Sequence, residues 1–172
     1  MENEQSRRRP LVLGVSGWHN SGKTVLCEAL VAALRARGWR VAAVKHAAHG
    51  LELDCPGTDS TRLWDAGADA VVLVGPDQMA VRERLEDGVL DDALARLGAG
   101  YDLVLVEGFK DTRLPRVVLQ MQGWERLDEL GAIAVVAVGE VGLTPGDGRL
   151  EALVECVVAW VENEQANRSC FV

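Results

Sequence analysis

With 172 residues, 48% of them hydrophobic and 26% charged, the chain suits one soluble globular domain around one core, and no apolar run approaches the roughly 20 residues that cross a bilayer. A formal charge of −8 argues against general affinity for nucleic acid or an anionic membrane, because such binding needs Lys and Arg to neutralise phosphates. The four cysteines, Cys27, Cys55, Cys156 and Cys170, show none of the paired spacings of a zinc site or disulfide framework, so a reducing cytoplasm is the expected compartment.

Residues 1–10 are polar, carry the basic cluster Arg7 to Arg9 and read as a flexible tail with no signal-peptide cleavage site. A single nucleotide-binding domain is expected over residues 11–163, with residues 164–172 as a second flexible tail. "LVLGVS" (Leu11 to Ser16) predicts a first strand, and Thr24 to Arg37 a helix ended by Gly38. "RVAAVKH" predicts a second strand. "AAHGLELDCPGT" (Ala47 to Thr58) lacks periodicity and predicts a loop; "DSTRLWDAGA" starts a short helix at Asp59 that ends near Gly67. "DAVVLVG" reads as a third strand, "MAVRERL" alternates like an edge strand, and "DGVLDDALARLG" is helical. "YDLVLVEGF" is a fully buried strand, followed by strands "RVVLQM" and "AIAVVAVG". A final amphipathic helix is expected from Arg149 to Glu162, with Leu150, Leu153, Val154, Val157, Val158 and Val161 as its buried stripe. Strands alternating with helices predict an α/β fold: a mostly parallel central sheet with helices on both faces.

"GWHNSGKT" (Gly17, Trp18, His19, Asn20, Ser21, Gly22, Lys23, Thr24) matches G-x-x-x-x-G-K-[ST] in full, between a predicted strand and a predicted helix, where that motif works. Glycines allow a nest of backbone N–H groups around phosphate oxygens, and the helix N-terminus adds unpaired donors and partial positive charge. Lys23 would bridge the β- and γ-phosphates and offset charge on the transferring phosphoryl group, while the Thr24 hydroxyl would meet Mg2+. Glu107 closes an apolar strand, so its carboxylate would emerge at the carboxyl end of the sheet and hold the same ion or its water. Lys45, at the end of the second strand, has two readings: a phosphate contact or a solvated lysine.

Together, the phosphate loop, "VKHAAHGLELDCPGTDSTRLWDAGA" and "DLVLVEGFK" resemble the molybdopterin-guanine dinucleotide biosynthesis protein B family, from about Leu11 to Trp160. The resemblance implies a three-layer P-loop NTPase fold related to dethiobiotin synthetase. It further implies a homodimeric adaptor that binds GTP with Mg2+, hydrolyses it slowly and works beside the guanylyltransferase that attaches GMP to molybdopterin. Related synthetases place an acid like Asp59 on the magnesium; from its position alone, Asp59 can equally cap the helix, and the two roles can coexist.

This sequence departs from common patterns in three places. Val25 replaces the second hydroxyl that often follows the lysine and threonine, leaving any α-phosphate contact to backbone N–H groups. Trp18, His19 and Asn20 are bulky for this loop, facing a partner or covering the site. The Asn-Lys-x-Asp guanine signature is missing, and Glu140 is left as a candidate acceptor for guanine N1 and N2 protons or as a plain loop acid. His46, His49, Asp54 and Cys55 fit no common zinc spacing and suggest a mobile loop near the substrate. A dethiobiotin synthetase type kinase or ligase is the alternative function, with Arg113 and Arg116 as lid arginines. A third reading gives the loop to a non-nucleotide anion such as the phosphate of a pterin. For a homodimer, "RVVLQM" is the candidate exposed apolar strand.

Overall fold

A computed structural model describes residues 9–47, 50–51, 53–120, 132–137 and 142–169. In chain order the elements are β1 (Leu11–Gly17), α1 (Lys23–Ala36), β2 (Val41–Lys45), α2 (Asp59–Asp65), β3 (Ala70–Val74), β4 (Met79–Glu83), α3 (Leu90–Leu97), β5 (Leu103–Glu107), β6 (Arg116–Gln120), β7 (Ala132–Ala137) and α4 (Gly148–Ser169). They fall into two compact units, Met1–His46 with Ala93–Val172, and Ala47–Asp92.

The larger unit is an α/β fold on a five-stranded sheet of order β2-β5-β1-β6-β7, with every pairing parallel. Leu11, Leu13 and Val15 of β1, Leu103 and Leu105 of β5, and Val117 and Leu119 of β6 share one face and one core cluster with α1 and α4. Helix α1 contributes Leu26, Cys27, Leu30 and Leu34 to it, spaced for one helical face. Full burial of each leucine is worth about 1.5–3 kcal/mol. Val104, Val106 and Val118, on the opposite face, are also buried, which explains why these strands read as unbroken apolar runs rather than alternating ones.

The expected stripe of α4 is buried from Leu150 to Val161. The helix then continues to Ser169, so residues 163–169 are helical where a frayed end was expected; "ENEQANRS" contains no Gly or Pro to stop it. Near this end Arg168 donates to the Arg9 carbonyl at 3.3 Å.

"RVVLQM" does not offer an exposed dimer strand. As β6 it lies between β1 and β7, and Val117, Val118 and Leu119 have no exposed surface.

In the smaller unit, β3 and β4 form their own antiparallel two-stranded sheet, so "DAVVLVG" is not a strand of the parallel sheet. The short connection between them suits a hairpin, whereas a parallel pairing requires a long crossover. Trp64 of α2 stacks under the guanidinium groups of both Arg82 and Arg84, each 4.0 Å from its ring centre, tying helix to hairpin. Arg84 also donates to the Trp64 carbonyl at 2.8 Å and the Ala68 carbonyl at 3.1 Å. Helix α2 is capped by Thr58, whose hydroxyl accepts from the Thr61 N–H, rather than by Asp59, its first helical residue.

Candidate functional site

The phosphate loop joins β1 to α1, and its shape follows from close packing. A Cβ on Gly17 would lie 2.5 Å from Ser21 Oγ and 2.8 Å from the Leu119 carbonyl oxygen. Gly22 has φ 89°, and a Cβ there would meet Leu143 backbone at 2.6 Å. Asn20 is left-handed as well, with φ 59°. Leu143 N–H donates to the Ser21 carbonyl at 3.2 Å and clamps the loop from behind.

Gly22 occupies the N-cap of α1 and brings no side-chain acceptor, and the first turn has no acidic residue. The helix therefore presents uncapped N–H groups and the positive end of its dipole, the physical requirements of an anion site. Ser21 Oγ is buried without a protein partner beneath this loop. Trp18, His19 and Asn20 are exposed, so they form outer surface rather than core. Val25 is half-buried and packs against the core, which explains an apolar residue after Thr24.

Lys23 curls back so that its ammonium donates to the Trp18 carbonyl at 2.5 Å. Burial pushes its pKa below the usual lysine value, the Glu107 carboxylate opposes that shift, and the Lys45 charge adds to it. Lys23 thus holds its ammonium in a partly desolvated position.

Parallel pairing sets Val15, Glu107 and Lys45 in one row across β1, β5 and β2. There the Thr24 hydroxyl lies 3.1 and 3.0 Å from the two Glu107 carboxylate oxygens. Lys45 Nζ is 3.3 Å from Glu107 Oε1 and within 3.5 Å of Thr24 Oγ1. Thr24, Glu107, Lys45 and Lys23, expected from sequence to work together, converge at the carboxyl edge of the sheet. A hydroxyl facing a carboxylate is a hard oxygen donor pair that fits Mg2+.

Other expected residues have their own local surroundings. Asp59 belongs to the smaller unit, where its side chain is 98% exposed and lies 3.5 Å from Arg62. Asp54 accepts from Cys55 N–H at 2.8 Å and from the Ser60 hydroxyl, and these bonds, Ser60 first, hold its carboxyl below the usual range. His46 stacks on Phe109 with ring centres 4.5 Å apart. Among the described residues no three His, Cys, Asp or Glu side chains form a metal-holding group. Glu140 and His49 lie outside the described residues.

Arg116 is the residue that sequence reading misplaced. It has no exposed surface and cannot serve as a lid arginine. Its guanidinium donates to Ser16 Oγ at 2.7 Å, to the Lys110 carbonyl at 3.2 Å, to Thr112 Oγ1 at 3.1 Å and to the Thr112 carbonyl. Burial lowers its pKa, with the Asp111 charge acting against that shift. It thereby holds the turn after Glu107, in which Phe109 has φ 45° and Gly108 N–H reaches the Val15 carbonyl at 3.0 Å. The available signal was a charged residue opening an apolar strand straight after Pro115.

Among the described residues no helix is long and apolar enough to cross a membrane. A family model for molybdopterin guanine dinucleotide synthesis protein B matches residues 12–138. The chain is 32% identical over 165 residues to the molybdopterin-guanine dinucleotide biosynthesis adapter protein of Escherichia coli, covering 89% of this chain and 94% of that one. It is 39% identical to the protein of the same description from Haemophilus influenzae, where the match spans 113 residues and 64% of each chain, just under two thirds. Among solved structures, Bacillus subtilis MobB superposes with a TM-score of 0.68 at 26% identity, covering 87% of this chain and 96% of that one. A structure of molybdopterin-guanine biosynthesis protein B gives a TM-score of 0.65 at 29% identity, covering 88% and 99%. With its phosphate loop, its Thr24–Glu107 pair and this breadth of match, the chain belongs to the molybdopterin guanine dinucleotide synthesis protein B family.

Proposed function

We propose that this protein is a cytoplasmic, GTP-binding adaptor that assists the guanylyltransferase of molybdopterin guanine dinucleotide synthesis. The observation that carries the proposal is the convergence of Lys23, Thr24, Glu107 and Lys45 beside an uncapped helix N-terminus. Backbone N–H groups from Gly17 to Val25 would cradle the phosphates, with Trp18, His19, Asn20, Ser21 and Gly22 forming the loop. Lys23 would leave the Trp18 carbonyl for the phosphates. Thr24 and Glu107 would hold Mg2+, and the bound ion supplies neutralising charge for the phosphates. Glu140 is assigned to guanine.

Glu107 is already engaged by Thr24 and Lys45, so it serves as a holder of charge rather than a free base. The proposed hydrolysis is slow, in keeping with an adaptor. Of the two lid arginines of the kinase reading, Arg116 is buried and unavailable, while Arg113 is exposed. The proposed partners are the transferase, a second copy of this chain, and molybdopterin or other cofactor-assembly proteins. Support for the second copy comes from the β3–β4 hairpin, whose Val72, Val74, Met79 and Val81 are each more than half exposed.

The test is calorimetry with GTP and ATP in magnesium, followed by a transferase pull-down and dinucleotide-formation assay with and without GTP. GTP should bind more tightly than ATP and should change the transferase interaction. Equal or tighter ATP binding removes the guanine assignment. No effect on either transferase binding or product formation removes the adaptor role.

A further inference from the structure

Lys45 touches both oxygen-bearing groups assigned to the metal. Its ammonium is 3.3 Å from Glu107 Oε1 and 3.5 Å from Thr24 Oγ1, while Glu107 is only 13% exposed. An ammonium at those distances occupies the space and satisfies the charge that a divalent cation would need, and two cations sharing one largely buried carboxylate repel strongly. The backbone around this contact is pinned: the β2 register pairs Lys45 with Glu107, and the next N–H, of His46, donates to the Glu107 carbonyl at 2.9 Å. The Lys45 side chain, in contrast, is 62% exposed and ends a flexible four-carbon stem on an edge strand. It can swing without disturbing the sheet.

We infer that Lys45 is an internal counter-cation of Glu107 that makes metal uptake conditional on the nucleotide. Without phosphates nearby, Glu107 is already paired and a free divalent cation finds little uncompensated charge. When phosphates occupy the loop they offer Lys45 another anion, and Glu107 and Thr24 become free to take a cation. Lys45 therefore couples the two binding events, each raising the affinity for the other by the same factor. This inference rests on the nucleotide and magnesium reading above and adds a role for Lys45 that a simple phosphate contact does not include.

The experiment titrates Mn2+ alone into nucleotide-free protein and counts unbound Mn2+ by electron paramagnetic resonance. Wild type should bind weakly, and Lys45→Met should bind at least fivefold more tightly, with Lys45→Gln as a second neutral variant should the first fold poorly. The gain should vanish in Lys45→Met combined with Glu107→Gln. A gain below fivefold in a folded neutral variant overturns the inference, as does a gain that survives Glu107→Gln. Failure of wild type to bind GTP in the presence of magnesium would instead sink the nucleotide reading, which this nucleotide-free titration does not measure.

Discussion

The hydroxyl of Thr24, in the first turn of α1, and the carboxylate of Glu107, at the end of β5, are 83 residues apart in sequence and stand 3.0 Å from one another. Thr24→Val keeps the shape and removes the oxygen. GTP affinity in magnesium should fall by about 1.5 kcal/mol, roughly tenfold, while affinity in EDTA stays within twofold of wild type. Isothermal calorimetry under the two conditions separates the metal-dependent part; an equal loss in both would place Thr24 on phosphate instead.

Gly22 combines φ 89° with Leu143 backbone 2.6 Å from where a Cβ would sit. Gly38 has a similar φ, 85°, but nothing within 4 Å. Gly38→Ala should therefore cost only the backbone penalty, about 1 kcal/mol, while Gly22→Ala should cost about 2–4 kcal/mol and abolish GTP binding. Urea denaturation of the two variants checks the difference.

Removing Arg116 leaves the buried Ser16 hydroxyl and the partly buried acceptors of Lys110 and Thr112 without their donor. Arg116→Met should destabilise the protein by about 2–4 kcal/mol, and Arg116→Lys should recover only part of this because an ammonium cannot reach Ser16, Lys110 and Thr112 together. Chemical denaturation measures both. A neutral result for Arg116→Met would mean that the turn after Glu107 holds itself.

Cys27 connects stability to pH. Burial, followed by the Glu107 charge, pushes its thiol from 9.0 up to about 12. In the unfolded chain the thiol ionises from pH 9 upward, whereas in the folded protein it stays protonated to about pH 12, so the folded state loses stability as pH rises through that window. Between pH 8 and pH 10 this one group should cost about 1.4 kcal/mol. In Cys27→Ala the pH-dependent loss should be smaller by that amount, whatever the variant's stability at pH 8. Denaturant titrations at the two pH values provide the comparison.

The hairpin predicts association. Val74 is 78% exposed and Met79 67%, and they are register partners at the tip of β3 and β4. Wild type should sediment as a dimer, and Val74→Asp with Met79→Lys should shift it toward monomer, at least tenfold in dissociation constant. Sedimentation equilibrium decides this, and a dimer indifferent to both changes would place the interface elsewhere.

The phosphate loop, Glu107 and most elements were legible in the sequence because each is written in neighbouring residues: glycine spacing, a run from Leu103 to Val106 ending in an acid, and apolar positions spaced for one helix face. Local pattern says that a segment is extended but not which strand lies beside it. "DAVVLVG" looks as buried as "YDLVLVE", yet among the described residues the first pairs only with β4 and leaves Val74 in solvent, while the second sits between β1 and β2. The same limit hid the partners of Arg116 and Lys45. Their roles depend on strand order and register, which bring Ser16 to one and Glu107 to the other across 100 and 62 residues of chain. Sequence by itself determined the chemistry available at the carboxyl edge of the sheet. Parallel pairing, a long-range packing outcome, decided that Lys45 meets Glu107 and that Arg116 is buried as a clamp.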